Sequence, residues 1–367
     1  MSGDAAGHGA GRADRAGEEP RLRDLSEEGL LSRIFPFFTP TPDVLLGPGD
    51  DAAVVAAPSG SVVATTDTMV LGHDWRDEWS TPAEVGAKLV TQNVADIAAM
   101  GARPTGLLVT LAAHGDLPAR WAEEFSRGLA EQARWYAVPV VGGDLSGAPD
   151  GVVMVSVTAL GDLEGRDPVL RSGARVGDVL AVHGSLGWSG AGWWLYDQGE
   201  TDPGQPEPYL RGTEPPPGWT DQSARTVLMW YHRTPVASVS SGVVASTAGA
   251  TAMMDVSDGL VRDAGRIARA SGVRIDLDRG ALERGFVDPP ITDVLPRDVA
   301  WRQVLTGGEE HSLIATFPAD SALLRDQTDP DEQWSVIGRV VEADDALPRV
   351  TLDGEPVEGQ GWDHFAG

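Results

Sequence analysis

Apolar positions along this chain switch repeatedly between a helical and a strand-like period, and the switches mark out its elements. Leu30, Leu31, Ile34 and Phe35 recur at helical spacing behind Ser26, a suitable helix cap, and Pro36, Pro40 and Pro42 close that segment. Two apolar runs, 52–57 and 61–66, flank Pro58-Ser59-Gly60 and read as strands joined by a turn. Thr81-Pro82-Ala83-Glu84 combines a capping box with proline at the first helical position. It predicts a helix that runs to Met100 and stops at Gly101. Next come a strand over 105–111, a helix over 118–136, and strands over 138–141 and 151–160. The second half predicts a strand over 178–182, helices over 188–196 and 235–246, a strand over 252–256, a helix over 259–270 and a strand over 273–277. Late strands fall at 312–317, 334–340 and 349–352. The stretch 197–221 is dense in proline, glycine and acidic residues and reads as a surface loop or insertion.

Strands alternating with helices give an α/β (or α+β) class, and 367 residues favour two domains. Residues 1–23, rich in Gly, Ala and charge, predict a disordered extension. The chain changes character around 171–177. We divide it into an N-terminal domain over 24–163 and a C-terminal α/β domain over 164–367 that carries the 197–221 insertion.

Charge narrows the function. There are 55 acidic against 28 basic residues, a net charge of -27, and no basic stripe. That argues against nucleic acid and anionic membranes as partners. No apolar run is long enough to span a bilayer and the first 19 residues lack a secretory apolar region, so the expected location is cytoplasmic. The absence of cysteine removes disulfides, zinc–thiolate sites and thiol nucleophiles. A phosphate-handling site in so acidic a chain would need bound cations.

The only lysine, Lys88, lies mid-helix, so no Walker-type phosphate loop exists, and no protein-kinase signature or nucleophile elbow is present. Instead, aspartates stand at predicted strand or helix ends beside glycine or hydroxyl residues. They are Gly49-Asp50-Asp51, Thr65-Thr66-Asp67-Thr68, Asn93 with Asp96, Gly142-Gly143-Asp144, and Asp255-Val256-Ser257-Asp258-Gly259. Short carboxylates suit magnesium, which takes few protein ligands alongside waters and phosphate oxygens. Each motif alone also reads as a turn or cap: Ser257 and Asp258 can cap a helix, and Asp96 can be a solvated helix residue. Arg171 fits a phosphate clamp or a surface ion pair equally well. The glycine-rich 184–190 turn is another phosphate candidate at a helix start. Trp362 can stack on a flat ring or anchor packing.

Taken in order, Gly-Pro-Gly-Asp-Asp-Ala (47–52), Thr-Thr-Asp-Thr (65–68), Asn-Val-Ala-Asp-Ile-Ala-Ala-Met-Gly-Ala (93–102), Gly-Gly-Asp (142–144), Arg-Ser-Gly-Ala (171–174), Asp-Val-Ser-Asp-Gly-Leu (255–260), Leu-Thr-Gly-Gly-Glu (305–309) and Trp-Asp-His-Phe (362–365) resemble the thiamine-monophosphate kinase family. The resemblance spans roughly residues 24–366. It implies a two-domain aminoimidazole ribonucleotide synthetase-like fold, and a homodimer whose N-terminal mixed sheets pair across the two-fold. It also implies ATP-dependent phosphorylation of thiamine monophosphate to thiamine diphosphate by direct in-line transfer, without a catalytic base. Several Mg2+ ions per site would be held by Asp51, Thr65, Thr66, Asp67, Asp96, Asp144, Asp255 and Asp258. Gly143, Asp144, Arg171 and Ser257 would contact ATP, and Glu309 and Trp362 the thiamine end. Two departures stand out. His73-Asp74-Trp75 replaces the family's usual His-Phe pair, so Asp74, or a shifted His73, would take that substrate-side place. The turn over 307–312 reads Gly-Gly-Glu-Glu-His-Ser where the family has Gly-Gly-Glu-Asp-Tyr-Glu.

Overall fold

The computed structural model describes residues 20–47, 54–201, 220–325, 333–357 and 361, and two β-sheets organise them. Helix α1 (Glu27–Ile34) starts where Ser26 Oγ accepts a hydrogen bond from the Gly29 N–H at 3.0 Å. A small ribbon of β1 (Val44–Leu46) and β2 (Val54–Val55) follows. Then come β3 (Val63–Val70), α2 (Pro82–Ala99), β4 (Arg103–Ala113), α3 (Ala119–Trp135), β5 (Val140–Gly147) and β6 (Val153–Asp162). Their sheet has the order β3-β6-β4-β5 and is antiparallel except where β4 runs beside β5.

Period-two patterning decides which face of this sheet is covered. Val153, Val155, Val157 and Ala159 of β6 are buried, whereas Ala64, Thr66, Thr68 and Val70 of β3 are exposed on the opposite face. Helix α2 lies on the buried face. The Glu84 carboxylate accepts from the Thr81 N–H at 2.8 Å and Thr81 Oγ1 accepts from the Glu84 N–H at 3.3 Å, so two orphan donors are satisfied. Val85, Leu89, Val94 and Ile97 carry the apolar stripe into the core with Met69 and Leu107, and α3 adds Trp121, Phe125 and Leu129. Each such fully buried side chain stabilises the fold by roughly 1.5–3 kcal/mol. The helices approach so closely that a Cβ at Gly128 would lie 2.1 Å from the Ala83 carbonyl oxygen.

The second half runs β7 (Val179–His183), α4 (Trp188–Asp197), α5 (Asp221–Arg233), α6 (Val239–Thr247), β8 (Ala252–Asp255), α7 (Leu260–Ser271), β9 (Arg274–Leu277), α8 (Arg279–Leu282), α9 (Arg297–Thr306), β10 (Leu313–Phe317), α10 (Ala322–Arg325), β11 (Ser335–Val341), β12 (Val350–Leu352) and β13 (Glu355–Pro356). The sheet order is β13-β12-β9-β11-β7-β10-β8, and only β12 and β9 pair in parallel. Ala252, Met254 and Ile314 point into a core shared with α4, α5, α7 and α9. Their neighbours Met253, Leu313 and Ala315 point the other way, against Ala245 of α6 and Ala98 and Ala99 of α2. Helix α2 therefore serves both halves.

Several expectations need correction. Thr65-Thr66-Asp67 and Gly142-Gly143-Asp144 do not end their strands. They lie inside β3 and β5, because β6 and β4 offer continuous ladder partners that override the polar composition. Helix α5 starts at Asp221, the last residue of the segment read as a loop, and α9 was not anticipated. Most of that loop, 202–219, lies outside the described residues. Among the described residues, no helix is long and apolar enough to cross a membrane.

Candidate active site

The alternation that buries Met69 also turns Thr65 and Asp67 toward α2. Thr65 Oγ1 donates to Asp96 Oδ2 at 2.6 Å, and Asn93 Oδ1 accepts from the Asp67 N–H at 3.1 Å. Asn93 is itself fixed by donating to the Leu89 carbonyl at 2.9 Å. Asp255, at the end of β8, comes in from the other half, its Oδ2 3.3 Å from His311 Nδ1. Burial pushes the Asp96 carboxyl up to about 7, and the charges of Asp255 and Asp67 add to the shift. His311 moves upward as well. Burial opposes this, but the Asp255 hydrogen bond and charge outweigh it.

Two turns of the C-terminal half complete the cleft. In the first, Asp263 Oδ2 accepts from the Ser257 and Asp258 N–H groups at 3.1 and 2.9 Å. Arg266 pairs with both Asp263 and Asp258. Gly259 adopts φ +107°, and a side chain there would strike the Thr306 carbonyl at 2.7 Å. In the second turn, Glu309 and His311 take left-handed backbone at φ +61° and +53°, conformations that non-glycine residues adopt only under constraint. The constraint is the first turn: the Glu309 N–H donates to the Ser257 carbonyl at 2.8 Å and the His311 N–H to Val256 at 2.9 Å. Glu309 then presents its carboxylate 2.7 Å from Lys88 Nζ and 3.5 Å from His232 Nδ1.

The cleft so enclosed has a volume of about 920 Å3. Thr66, Asp67, Asp74, Asp96, Ser257, Asp258 and Glu309 line it, as do Trp79, Trp193, His232 and Arg302. Thr65 and Asp255 reach it through Asp96 and His311. Asp74 closes its own turn, with Oδ2 accepting from the Val70 N–H at 2.8 Å and Oδ1 3.2 Å from His73, which also lines the cleft. Among the described residues, no three carboxylate or histidine groups converge on one point as a protein-only metal cage would require.

Other expected residues lie elsewhere. Asp144 pairs across the sheet with Thr110, in a row with Ser156 and Thr68, so it stands on the open face and away from α2. Its Oδ2 accepts from Ser146 Oγ at 2.6 Å. Gly143 is adjacent, and a side chain there would meet the Val109 carbonyl at 2.0 Å. Arg171 is exposed in the segment joining the halves, where its carbonyl accepts from Ser271 Oγ at 3.1 Å. Asp51 and Trp362 fall outside the described residues, although Gly361, immediately before Trp362, lines the cleft. The glycine-rich 184–190 turn is occupied from within. The Glu310 carboxylate accepts from Ser185 Oγ at 2.9 Å and from the Ser189 N–H at 2.8 Å, capping α4 where a phosphate would otherwise sit.

Sequence reasoning missed Lys88, His232 and Asp263 as parts of this site. Each draws its meaning from partners on other elements, and the one local signal was charge on the buried stripe of α2, at Glu84 and Lys88, four residues apart.

Comparison with known proteins gives consistent results. Residues 49–163 match the AIR synthase related protein N-terminal domain, and residues 175–348 match the corresponding C-terminal domain. The chain is 41% identical over 355 residues to thiamine-monophosphate kinase from Mycobacterium tuberculosis, covering 95% of each sequence. Thiamine-monophosphate kinase from Stenotrophomonas maltophilia superposes with a TM-score of 0.76 at 29% identity, covering 91% of this chain and 98% of that one. AaThiL complexed with AMPPCP and TMP gives 0.67 at 30% identity, covering 94% and 99%.

Proposed function

This chain belongs to the thiamine-monophosphate kinase family, and from that premise we propose that it transfers the γ-phosphoryl group of ATP to thiamine monophosphate, releasing ADP and thiamine diphosphate. The observation that carries the reading is one cleft in which Asp67, Asp96 and Asp258 from distant segments face the Glu309 turn. A relative of the same fold complexed with AMPPCP and TMP supports the two substrates.

Joining two phosphates requires alignment and neutralisation of charge more than covalent catalysis. The residues present fit magnesium: burial first, then the charges of Asp255 and Asp67, make the Asp96 carboxyl resist ionisation, and a cation would offset both. Magnesium takes few protein ligands and shares its coordination with phosphate oxygens and water. Thr65, Thr66, Asp67, Asp96, Asp255 and Asp258 would hold the ions, with Asp51 and Asp144 as further ligands. Magnesium bound there would supply the positive charge that offsets repulsion between the two anionic substrates. The chain's own residues set the geometry. Asn93 fixes the Asp67 backbone, Thr65 orients Asp96, and Asp263 with Arg266 holds the Ser257–Asp258 turn. Attack is by a phosphate oxygen already ionised near neutral pH, so no side chain need remove a proton, and in-line displacement follows.

Gly143, Asp144, Ser257 and Arg171 would contact ATP, while Asp74, Glu309 and Trp362 would contact the thiamine end. The open face of the first sheet, where Leu108 is 39% exposed, supports a homodimer in which a second copy covers the Asp144 row. The domain division at 163/164 and a cytoplasmic place of work belong to the same proposal. A coupled ADP-release assay with and without thiamine monophosphate tests it. ADP and thiamine diphosphate should appear in equal amounts, only with magnesium present; ADP release indifferent to thiamine monophosphate would refute it.

A further inference from the structure

A lysine on a helix normally trails its ammonium in water, because a buried, unpaired charge is strongly disfavoured. Lys88 does the opposite. The sole lysine of the chain is 3% exposed, in the middle of α2, with Nζ 2.7 Å from Glu309 Oε1. One turn earlier, Glu84 meets the buried guanidinium of Arg233 at 3.2 Å. The same face of α2 thus enters the C-terminal half twice, with opposite charges.

Glu309 gains a fixed position from this. Its backbone is pinned in the left-handed region by the bond to Ser257, and its side chain keeps 31% of its surface open to the cleft. Its other oxygen lies beside His232, a weaker partner than Lys88: burial first, then the neighbouring Lys88, pushes His232 down to about 3. Burial also works against ionised Glu309, yet Lys88, with smaller contributions from His232 and His311, outweighs it and holds the carboxyl below its ordinary range. The result is an oriented anion with one free edge, a hydrogen-bond acceptor that cannot donate.

We propose that Lys88 is a positioning residue for substrate recognition: it aims the free edge of the Glu309 carboxylate at an N–H donor, and the exocyclic amine of the pyrimidine is the one such donor that thiamine monophosphate offers. The inference rests on the kinase reading and assigns that reading a recognition device. A purely structural role predicts something different, since buried ion pairs often add little to stability over apolar replacements.

The experiment compares thiamine monophosphate with its 4-oxo analogue, oxythiamine monophosphate, in the full-length enzyme with magnesium and ATP. The unsubstituted enzyme should prefer the amine. Lys88→Met should raise KM for thiamine monophosphate about ten- to a hundred-fold, the range typical of removing a supporting partner. KM for ATP should stay within about two-fold, kcat should fall less than KM rises, and the preference for the amine should disappear. Lys88→Arg should recover part of that preference. In the Glu309→Gln background, Lys88→Met should add no further loss, because both residues act through one contact. That double variant leaves neither charge unpaired, so it also serves if Lys88→Met alone folds poorly. A preference kept by Lys88→Met overturns the proposal, as do equal losses for both substrates and ATP, an unsubstituted enzyme indifferent to the amine, or an undiminished effect of Lys88→Met without Glu309. Wild-type turnover reads the kinase assignment separately: no turnover refutes both, whereas normal turnover with any of these results refutes Lys88 alone.

Discussion

Asp67 and Asp144 show how much one position in a strand decides. They lie on neighbouring rows of the same sheet, yet Asp67 faces α2 while Asp144 stands on the open face. Asp67→Asn keeps the shape of the side chain and the backbone bond to Asn93, so the fold should survive with an unchanged melting temperature. Activity should fall by about two to three orders of magnitude, the size seen when one preorganised electrostatic group is removed from a reacting centre. Steady-state ADP release decides this, and near-normal turnover would rule out a metal held by Asp67. Short acidic motifs beside glycine or hydroxyl residues were legible in the sequence because their chemistry is local. Asp263 was not. It looks like any acidic residue in the first turn of a helix, and only the folded turn reveals its bonds to Ser257 and Asp258.

At the scale of elements, α2 was the most legible part of the chain and remains the most consequential. Its capping box, proline and glycine stop bound it locally, so its start at Pro82 and its end near Met100 could be read directly. Strands β3 and β5 were harder, because their polar motifs look like ends until a neighbouring strand continues the ladder. Helix α5 was hidden by the proline- and glycine-rich stretch before it. The crossing of α2 and α3 depends on glycine at two points: a Cβ would approach the Phe125 carbonyl at 2.3 Å from Gly86 and the Ala83 carbonyl at 2.1 Å from Gly128. Backbone atoms cannot rotate aside, so Gly128→Ala must push the helices apart. We expect a loss of about 1–3 kcal/mol in urea unfolding, the usual range for overpacking. Activity should fall with it even below the melting transition, since α2 carries Asp96 and Lys88. A Gly128→Ala enzyme as stable and active as the parent would show that the two helices tolerate separation.

For the whole molecule, the site adds to a charge imbalance that composition already imposes. Asp96, Asp263 and Glu310 are each pushed up to about 7, chiefly by burial. Between their ordinary values and 7, the folded chain holds protons that the unfolded chain has released, so stability falls as pH rises through that window. His311, raised in the folded state, loses its contribution in the same direction. His232, held neutral down to about 3, acts oppositely and penalises the fold below its ordinary value of 6.5. A net charge of -27 adds self-repulsion as the last carboxyls ionise. The metal-free enzyme should therefore lose thermal stability from about pH 4 to a little above 7, a range over much of which many proteins are near their maximum. Magnesium should flatten that decline, because a cation beside Asp96 favours its ionised form and lowers its folded pKa. Melting temperatures recorded across this range in chelator and in excess magnesium separate the contributions. Parallel curves would mean that no cation binds near Asp96, whereas convergence toward low pH and divergence above neutrality would locate the ion among the buried carboxylates of the cleft.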